Sequence, residues 1–343
     1  MIIQLIKDSD KSLWDSYVLN HPESTFYHMR GWKDVIEQTF GHKTFYLMAK
    51  SDQGKTIGIL PLVLMKSSLF GSFMVSLPFF NYGGILADNK EIEKALLSEA
   101  IILGKKEKIE YIELRHLSDK DLKLKMKTSK VSMLLNLPND SNLLLKSFKS
   151  KLRSQIRKSE KEGLLPVIGG MELLDSFYNV FSSNMRDLGT PVYDKKFFSN
   201  TLNGFHNSTK ICTVYLRNKP VASGILVNFK DRLEMPWASS LRKYNHLCPN
   251  MMLYWNALKY STENGFKQFD FGRSTLDEGT YKFKKQWGAN PVQLYWHYWL
   301  SNGGTLPEIN PHNSKYKSAI KIWQHLPLCI TNTIGPKIVR NIP

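Results

Sequence analysis

The sequence predicts an α+β protein made of two tandem domains, each a mostly antiparallel sheet flanked by helices. At 343 residues, 42% of them hydrophobic, the chain is long enough for two cores of ordinary domain size. One order of predicted elements (strand, strand, strand, loop, helix, strand) occurs twice at an offset of roughly 160 residues. A duplicated domain explains this repetition better than a single large sheet does.

The first domain is predicted over residues 1–141. Apolar residues recur at helical spacing in Asp10–Asn20 and Gly31–Phe40. Thr44–Ala49 and Thr56–Met65 are rich in strand-forming residues and flank a turn, which predicts an antiparallel hairpin. The remaining predicted elements are strands at 73–77, 109–115 and 131–137 and a helix at 91–106.

The second domain is predicted over residues 142–312. A hairpin is expected from Lys210–Arg217 and Val221–Phe229, and its tripeptide Gly224-Ile225-Leu226 corresponds to Gly58-Ile59-Leu60 in the first copy. A helix at 250–264 then leads into a strand at 266–273, as the helix at 91–106 leads into the strand at 109–115. The two copies therefore share one topology.

The charge balance indicates polyanionic partners. A net charge of +17 fits an anionic small-molecule or nucleotide-linked substrate, nucleic acid such as tRNA, or an anionic membrane surface, and it does not distinguish them. The dispersed cysteines and isolated histidines predict neither a disulfide framework nor a metal site. The chain has no G-x-S-x-G motif, which argues against a serine hydrolase. With neither a signal peptide nor an apolar span predicted, a cytoplasmic location is expected, with contact at the inner membrane face as a further expectation. The sequence does not predict an oligomeric state.

A basic helix is predicted at the start of the second domain, over 142–163. Lys149, Arg153 and Arg157 fall four residues apart on one side, opposite an apolar stripe that includes Leu152 and Ile156. The stripe of cations indicates a surface that contacts phosphate. A solvated basic face is the alternative.

Two further segments carry candidate binding residues. Arg186, Asp187 and Tyr193 flank a Gly-Thr-Pro turn and are suited to binding a carboxylate, phosphate or sugar. An internal ion pair between Arg186 and Asp187 is nearly as good an explanation. The tail, 313–343, mixes apolar residues with lysines. It is expected to dock on the first domain or to lie on an anionic membrane surface.

The strongest functional signal lies where the strand 266–273 ends. Phe269-Asp270-Phe271-Gly272-Arg273-Ser274 places polar groups directly after an apolar run, as buried strands do at functional ends. The following segment, 279–289, interleaves three lysines with Tyr281, Phe283 and Trp287. Such a patch suits an anionic ligand with a flat face. A basic turn with aromatic core residues is the alternative.

These motifs resemble the FemAB-like branch of the Gcn5-related N-acyltransferase (GNAT) superfamily. The resemblance covers nearly the whole chain and is closest to the members associated with exopolysaccharide and PEP-CTERM protein sorting, where the Arg186–Pro191 segment recurs. It implies two GNAT-like domains. It also implies an acyl- or aminoacyltransferase of the cell envelope that moves an acyl group to an amine of an envelope or polysaccharide precursor or of a peptide. No permanently bound cofactor is implied; acyl-CoA or aminoacyl-tRNA would be the co-substrate.

The resemblance also assigns roles to residues. Lys284, with Phe283, is the candidate for stabilising the oxyanion, Asp270 and Arg273 would orient the acceptor, and Tyr281 could relay a proton. If this segment is a strand, Lys284 and Lys285 face opposite ways and only one reaches the site. Tyr244 and Asn250 belong to the substrate-binding set through the motif that contains them.

One segment departs from the superfamily. Acetyl-CoA users usually carry a Gly-rich pyrophosphate loop before the second-domain helix, whereas Arg242–Pro249 contains no glycine. The donor therefore stays open. A polyanion-binding protein without enzymatic activity, on a degenerate acyltransferase fold, is the alternative function.

Overall fold

The structure is a computed structural model that describes residues 1–67, 71–307 and 314–342. Residue contacts divide the chain into two compact units. The first contains Met1–Lys130, Gln293–Ile309 and Arg340–Pro343, and the second contains Val131–Val292 and Asn310–Val339. Each unit is an α+β arrangement, and the tandem α+β architecture predicted from the sequence is confirmed.

The first unit has two sheets. Its helices are α1 (Lys11–Asn20), α2 (Gly31–Phe40) and α3 (Lys90–Lys106). Its strands are β1 (Ile2–Leu5), β2 (Leu47–Lys50), β3 (Thr56–Leu60), β4 (Val63–Ser67), β5 (Gly71–Val75), β6 (Leu86–Ala87), β7 (Tyr111–His116), β8 (Lys125–Lys127) and β16 (Tyr295–Leu300). The sheet orders are β1-β2-β3-β6 and β4-β5-β7-β16-β8. The described pairings are antiparallel except for β5 with β7.

The second strand of the predicted first hairpin is interrupted at Pro61. Proline has no N–H to give to a strand ladder, and here the chain leaves the first sheet after β3 and joins the second as β4. Helix α3 covers the first sheet with Ile92, Leu96 and Ala100, which belong to one buried cluster with strand residues. A Cβ atom on Gly58 would lie 2.7 Å from Ile92 and 3.0 Å from Leu96, so glycine permits the close approach of helix and strand.

The second unit is built on a seven-stranded sheet of order β10-β11-β12-β13-β14-β9-β15. Its strands are β9 (Lys130–Asn136), β10 (Leu164–Gly169), β11 (Thr209–Leu216), β12 (Lys219–Phe229), β13 (Arg232–Ser240), β14 (Gln268–Thr275) and β15 (Asn290–Gln293). Its helices are α4 (Ser141–Ser147), α5 (Ser150–Lys161), α6 (Leu174–Leu188), α7 (Lys195–Gly204), α8 (Pro249–Glu263), α9 (Gly279–Lys285), α10 (Ser314–His325) and α11 (Leu328–Val339). Strands β10 to β13 pair antiparallel, and β13 pairs parallel with β14.

The units differ from the predicted boundaries because two strands join the other sheet. The first domain was predicted to extend to residue 141, but β9 belongs to the sheet of the second unit. Conversely, β16 was placed in the second domain by the 142–312 range, yet it pairs antiparallel with β7, from Tyr295 opposite His116 to Leu300 opposite Tyr111. Local strand patterns do not reveal which partner a strand takes, since both sheets offer an apolar face.

The predicted helix at 142–163 is two helices. Phe148 and Lys149 have extended backbone angles and separate α4 from α5. Leu152 and Ile156 of α5 are buried in the main cluster of the second unit, as the apolar stripe predicted. Gly163, at φ +74°, ends α5 in the left-handed conformation that glycine adopts most readily.

The tail helices α10 and α11 pack against α6 of the second unit. The side chain of Gln324 donates to the carbonyl of Asp187 at 3.1 Å. A Cβ on Gly335 would lie 2.9 Å from the backbone of Val192, so α11 approaches that segment closely. The predicted docking of the tail on the first domain is thus replaced, for α10 and α11, by packing within the second unit. Arg340, which belongs to the first unit, donates to the Phe40 carbonyl.

The duplication is visible in the strands that follow the long helices. In the first unit β5 pairs parallel with β7, with Val75 opposite Glu113. In the second unit β13 pairs parallel with β14, with Glu234 opposite Asp270. Strand β2 lies in the four-stranded sheet and β11 in the seven-stranded sheet, so the halves do not form one continuous sheet.

Candidate active site

The candidate site lies where β13 and β14 stop pairing. Their parallel register runs from Arg232 opposite Gln268 to Glu234 opposite Asp270. Both strands continue, β13 to Ser240 and β14 to Thr275. We call this divergence the open fork. Beyond Asp270 this edge of β14 is no longer paired with β13, and the carboxyl ends of diverging strands are where ligands bind in open α/β sheets.

A β-bulge opens the fork. The register of β12 with β13 shifts between Ile225, opposite Trp237, and Val227, opposite Glu234. Strand β13 therefore carries one extra residue, and Pro236, which has no N–H to donate, lies within the irregularity. Bulges bend the strand that contains them. The bend directly follows Glu234, at the residue where pairing with β14 ends.

Lys284 is buried at this fork. Only 8% of its surface is exposed. Its ammonium donates to the carbonyl of Gly272 at 3.0 Å and to that of Arg273 at 2.8 Å, both on β14. Burial lowers the pKa of Lys284 to about 8, although the negative charges of Asp270 and Glu234 oppose that shift. The lysine is therefore mostly protonated at neutral pH and close to titrating.

The hydrogen bonds of Lys284 leave one donor unused. A protonated lysine has three N–H donors. Within the part of the chain that the structure describes, two of them go to the β14 carbonyls and no protein acceptor takes the third. An ammonium held at two points, with its third N–H uncommitted, is suited to stabilising negative charge on a ligand oxygen.

Two buried carboxylates accompany the lysine. Asp270 is fully buried, and its Oδ1 accepts from the Ser132 hydroxyl and from the Gly272 backbone N–H, each at 2.7 Å. Glu234 lies beside it on β13 and is also buried. Burying two carboxylates near one ammonium is costly unless each is held by specific bonds. Such groups are concentrated at functional sites.

The segment that carries Lys284 is the helix α9 and not a strand. On a helix Tyr281 and Lys284 are three residues apart and lie on one face, and both are buried. Lys285 is exposed, with its ammonium 5.6 Å from the centre of the Tyr281 ring. The prediction that this segment is a strand is wrong, because residues 279–285 form a helix. One lysine of the pair is nevertheless buried and the other exposed. Phe283 is partly buried, with its ring edge-on to Tyr254 at 5.0 Å.

The remaining predicted site residues of β14 and α6 are now located. Arg273 is exposed, and its carbonyl holds Lys284. Arg186 and Asp187 form an ion pair at the end of α6, with Nη2 and Oδ1 2.7 Å apart, which is the internal pair considered as the alternative. The Tyr193 ring is tilted against that of Phe197, with 5.2 Å between the ring centres.

The basic stripe is divided by the helix break. Lys149 precedes α5, and both Lys149 and Arg157 are exposed. Arg153 is half-buried and donates to the Lys146 carbonyl at 3.0 Å, so it closes the end of α4. The three cations are therefore not equivalent.

The segment before α8 contains no glycine but still adopts a glycine-like conformation. Cys248 has φ +58°, in the left-handed region, and its carbonyl accepts from the N–H groups of Met251 and Met252. Pro249 starts α8, where its missing N–H costs nothing. Tyr244 precedes this turn, with the Lys243 ammonium 5.0 Å from its ring centre, and Asn250 is the second residue of α8.

Sequence reasoning missed Glu234 and Ser132. Glu234 stands alone as an acid in the apolar stretch Leu233–Trp237, which is a usable signal for a buried functional carboxylate. Ser132 gave no comparable signal. Its role depends on β9 joining the second sheet, and nothing local to residue 132 indicates that pairing.

Comparisons with known proteins agree with this architecture. Residues 146–285 match the family model described as "Acetyltransferase (GNAT) domain". The fold is similar to that of FemX, with a TM-score of 0.67 and 17% identity over 86% of this chain and 97% of that one. A comparison with curated proteins found no match.

Two further structures share the fold. L-PGS from Bacillus licheniformis has a TM-score of 0.54 and 11% identity, over 85% of this chain and 95% of that one. A tandem GNAT protein from the clavulanic acid biosynthesis pathway has a TM-score of 0.53 and 10% identity, over 89% of this chain and 100% of that one. The chain therefore has the fold of the tandem GNAT-like proteins, and the GNAT match covers the open fork and Lys284.

Proposed function

We propose that the protein is an N-acyltransferase that moves an activated acyl or aminoacyl group to an amine, with the open fork as its active site. The observation that carries this proposal is the buried Lys284, fixed by two β14 carbonyls with one N–H uncommitted. The GNAT match over residues 146–285 supports the same class of reaction. We also propose that the chain is a member of the exopolysaccharide-associated subgroup of the FemAB-like branch.

The chemistry follows from the groups at the fork. The acceptor amine attacks the carbonyl carbon of the donor, the new C–N bond forms, and negative charge develops on the carbonyl oxygen. The third N–H of Lys284 stabilises that oxygen. The tetrahedral intermediate collapses with loss of the thiol of a thioester, or of the tRNA hydroxyl of an aminoacyl ester. The amine proton passes to a carboxylate, for which Glu234 and Asp270 are the candidates, with Tyr281 as a relay, and from there to the leaving sulfur or oxygen.

An acyl-CoA thioester is the donor that we propose first, since the GNAT domain match suggests it. Aminoacyl-tRNA is the second, and the exposed Lys149 and Arg157, with Arg153 behind them, are suited to its phosphates. The acceptor is proposed to be an amine of a cell-envelope or polysaccharide precursor. The resemblance to the FemAB-like branch is the basis for proposing a cell-envelope acceptor, and FemX and L-PGS share the fold of this chain. Arg273, Phe283, Arg186, Asp187, Tyr193, Tyr244 and Asn250 stay in the proposed substrate-binding set.

Thiol release and aminoacyl transfer test the proposal. The full chain is incubated with acetyl-CoA or a longer acyl-CoA and a panel of amino sugars and amino-acid amides, and free CoA thiol is measured. A parallel arm uses charged tRNA and follows the labelled amino acid. Acceptor-dependent transfer in either arm supports an enzyme. Binding of tRNA without transfer in both arms would favour the polyanion-binding alternative.

A further inference from the structure

The tail helices present an apolar stripe to solvent that the proposed reaction does not use. On α11, Ile330, Ile334 and Lys337 are spaced four and three residues apart and share one face. Ile330 is 38% exposed and Ile334 is 42% exposed. On α10, Ile322 is 65% exposed and adjoins the exposed Lys321. We call these residues the outer face of the tail.

The opposite side of each helix accounts for the packing on α6. A Cβ on Gly189 would lie 2.4 Å from the Ile320 side chain, and Gln324 bonds the Asp187 carbonyl. On α11, Thr331, Gly335 and Val339 are buried. The tail is thus held by one face and leaves the other outward, so the exposed isoleucines are not the result of a frayed helix.

The charge of the segment indicates what could cover this face. From residue 309 to the end the chain contains no Asp or Glu. It contains five cationic residues: Lys315, Lys317, Lys321, Lys337 and Arg340. A second copy would bring two acid-free segments together, and their like charges would repel. Exposed isoleucines bordered by lysines, without acids, complement a surface that is apolar beneath and anionic at its boundary.

We propose that the outer face of the tail lies on an anionic phospholipid bilayer. Ile322, Ile330 and Ile334 insert at the boundary of headgroups and acyl chains, and the exposed Lys321 contacts phosphate. In the described residues no helix is long and apolar enough to cross a membrane, so the contact is peripheral. This interaction brings the protein to a surface on which an envelope precursor amine could be presented.

Vesicle co-sedimentation tests the proposal with the full chain. Vesicles of phosphatidylcholine alone are compared with vesicles of equimolar phosphatidylcholine and phosphatidylglycerol. The wild-type chain should sediment with the anionic vesicles, less as salt rises, and not with phosphatidylcholine alone. The pair Ile330→Ser with Ile334→Ser should lower partitioning by about tenfold or more, and Lys321→Gln by about fivefold.

A matched control pair is Ile102→Ser with Leu143→Ser, whose side chains are 58% and 57% exposed on α3 and α4. It removes more apolar exposure than the Ile330/Ile334 pair does, at positions outside the tail, and should leave partitioning unchanged. Thermal unfolding of each variant verifies that it folds. Deleting the tail is a poorer test, because it would uncover α6.

Three outcomes would overturn the proposal: no sedimentation of the wild-type chain with anionic vesicles, equal partitioning of the Ile330/Ile334 pair and the control pair, or a wild-type dimer that the Ile330/Ile334 pair converts to monomer without changing partitioning. The last result would assign the face to a second copy. A dye on the exposed Cys329 gives an independent readout, since its emission should shift to the blue with anionic vesicles only.

Discussion

The parallel pairs β5–β7 and β13–β14 occupy the same place in the duplicated topology, but one is closed by hydrogen bonds at its end and the other diverges. In the second unit the pairing of β13 and β14 ends at Glu234 and Asp270, and a bulge opens the fork. In the first unit the equivalent pair, β5 and β7, is closed after Val75 and Glu113. The Ser76 N–H donates to the Glu113 carbonyl at 2.9 Å, and the Ser76 hydroxyl accepts from the Arg115 N–H at 3.0 Å.

The Arg115 side chain completes the closure. It is buried, pairs with Glu113 at 2.6 Å, and donates to the carbonyls of Leu77 and Phe80. Glu113 also accepts from the Tyr298 hydroxyl at 2.8 Å. The buried charges of Glu113 and Arg115 are thus paired with protein groups, whereas among the described residues Lys284 has acceptors for two of its three N–H groups. A repeated strand pair can therefore be closed by hydrogen bonds in one copy and diverge in the other.

The largest effect is expected from opening the closed fork. Arg115→Met leaves Glu113 buried without its cation, and breaking a buried pair costs about 3–5 kcal/mol of unfolding free energy. Hydrogen exchange of β7 amides should report the loss. Arg217→Met, an exposed arginine, is the control. If Arg115→Met unfolds normally but binds substrate poorly, the closed fork is a site after all.

The next effect concerns the open fork. Lys284→Met keeps the aliphatic length and removes the charge, so turnover should fall roughly a hundred- to a thousandfold, or about 3–4 kcal/mol. Because the buried Asp270 and Glu234 lose a neighbouring cation, thermal unfolding of the variant is measured alongside, and turnover is compared at a temperature where the variant is folded. Lys285→Met is the control, because Lys285 is exposed one position along the same helix.

The pH profile of the same reaction sharpens this assignment. With a pKa of about 8, Lys284 loses its proton as pH rises, so kcat at saturating substrate should fall above pH 8. A rate that instead rises through pH 8 would assign the neutral amine of Lys284 as a base. If Lys284→Met turned over substrate at the wild-type rate, the active site would not be at the open fork.

Lowering the pH should destabilise the first unit before the second. Burial lowers the pKa of His28 to about 3 and that of His116 well below its usual range, and both are in the first unit. Their stabilising contribution is complete above pH 6.5 and is lost as pH falls toward the folded-state value. At pH 5 His28 alone should cost about 2 kcal/mol.

Hydrogen exchange, corrected for its intrinsic pH dependence, should therefore show β7 weakening before β14. In the second unit His206 and His246 are exposed, so His246 provides a control position. His28→Gln should flatten the difference, and His246→Gln should not. Parallel weakening of β7 and β14 would contradict the prediction.

The smallest effect is expected from the basic helix. Lys149→Glu with Arg157→Glu should weaken binding of a tRNA acceptor-stem hairpin severalfold and reduce its salt dependence, since fewer counterions are released. Arg153 is left unchanged because it closes α4. Lys94→Glu with Lys105→Glu, on exposed positions of α3, is the control. Equal effects of both pairs would leave α5 a solvated surface.

Helices and hairpins could be predicted from the sequence, whereas the pairing of strands distant in the chain could not. Helices α1, α2, α3 and α8 follow from apolar spacing, and the hairpin of β11 and β12 follows from alternation and its turn. The resemblance brought Asp270, Lys284 and Tyr281 together. Glu234 and Ser132 reach them only through strand pairing, which depends on contacts distant in sequence. The nature of α9 was missed because a seven-residue segment of mixed lysines and aromatics has no decisive period.

The position of β16 has a consequence for synthesis. Strand β7 pairs with β16, whose residues Tyr295–Leu300 are translated some 180 residues later. At an elongation rate of roughly 5–20 residues per second, this edge of β7 lacks its neighbour for roughly ten to thirty seconds on the ribosome. During that interval β7 is paired with β5 on one side only, and its other edge is a template for intermolecular pairing. A gene fragment ending near residue 130 would keep that edge permanently, and chaperone capture of nascent chains should be most frequent before residue 300 emerges.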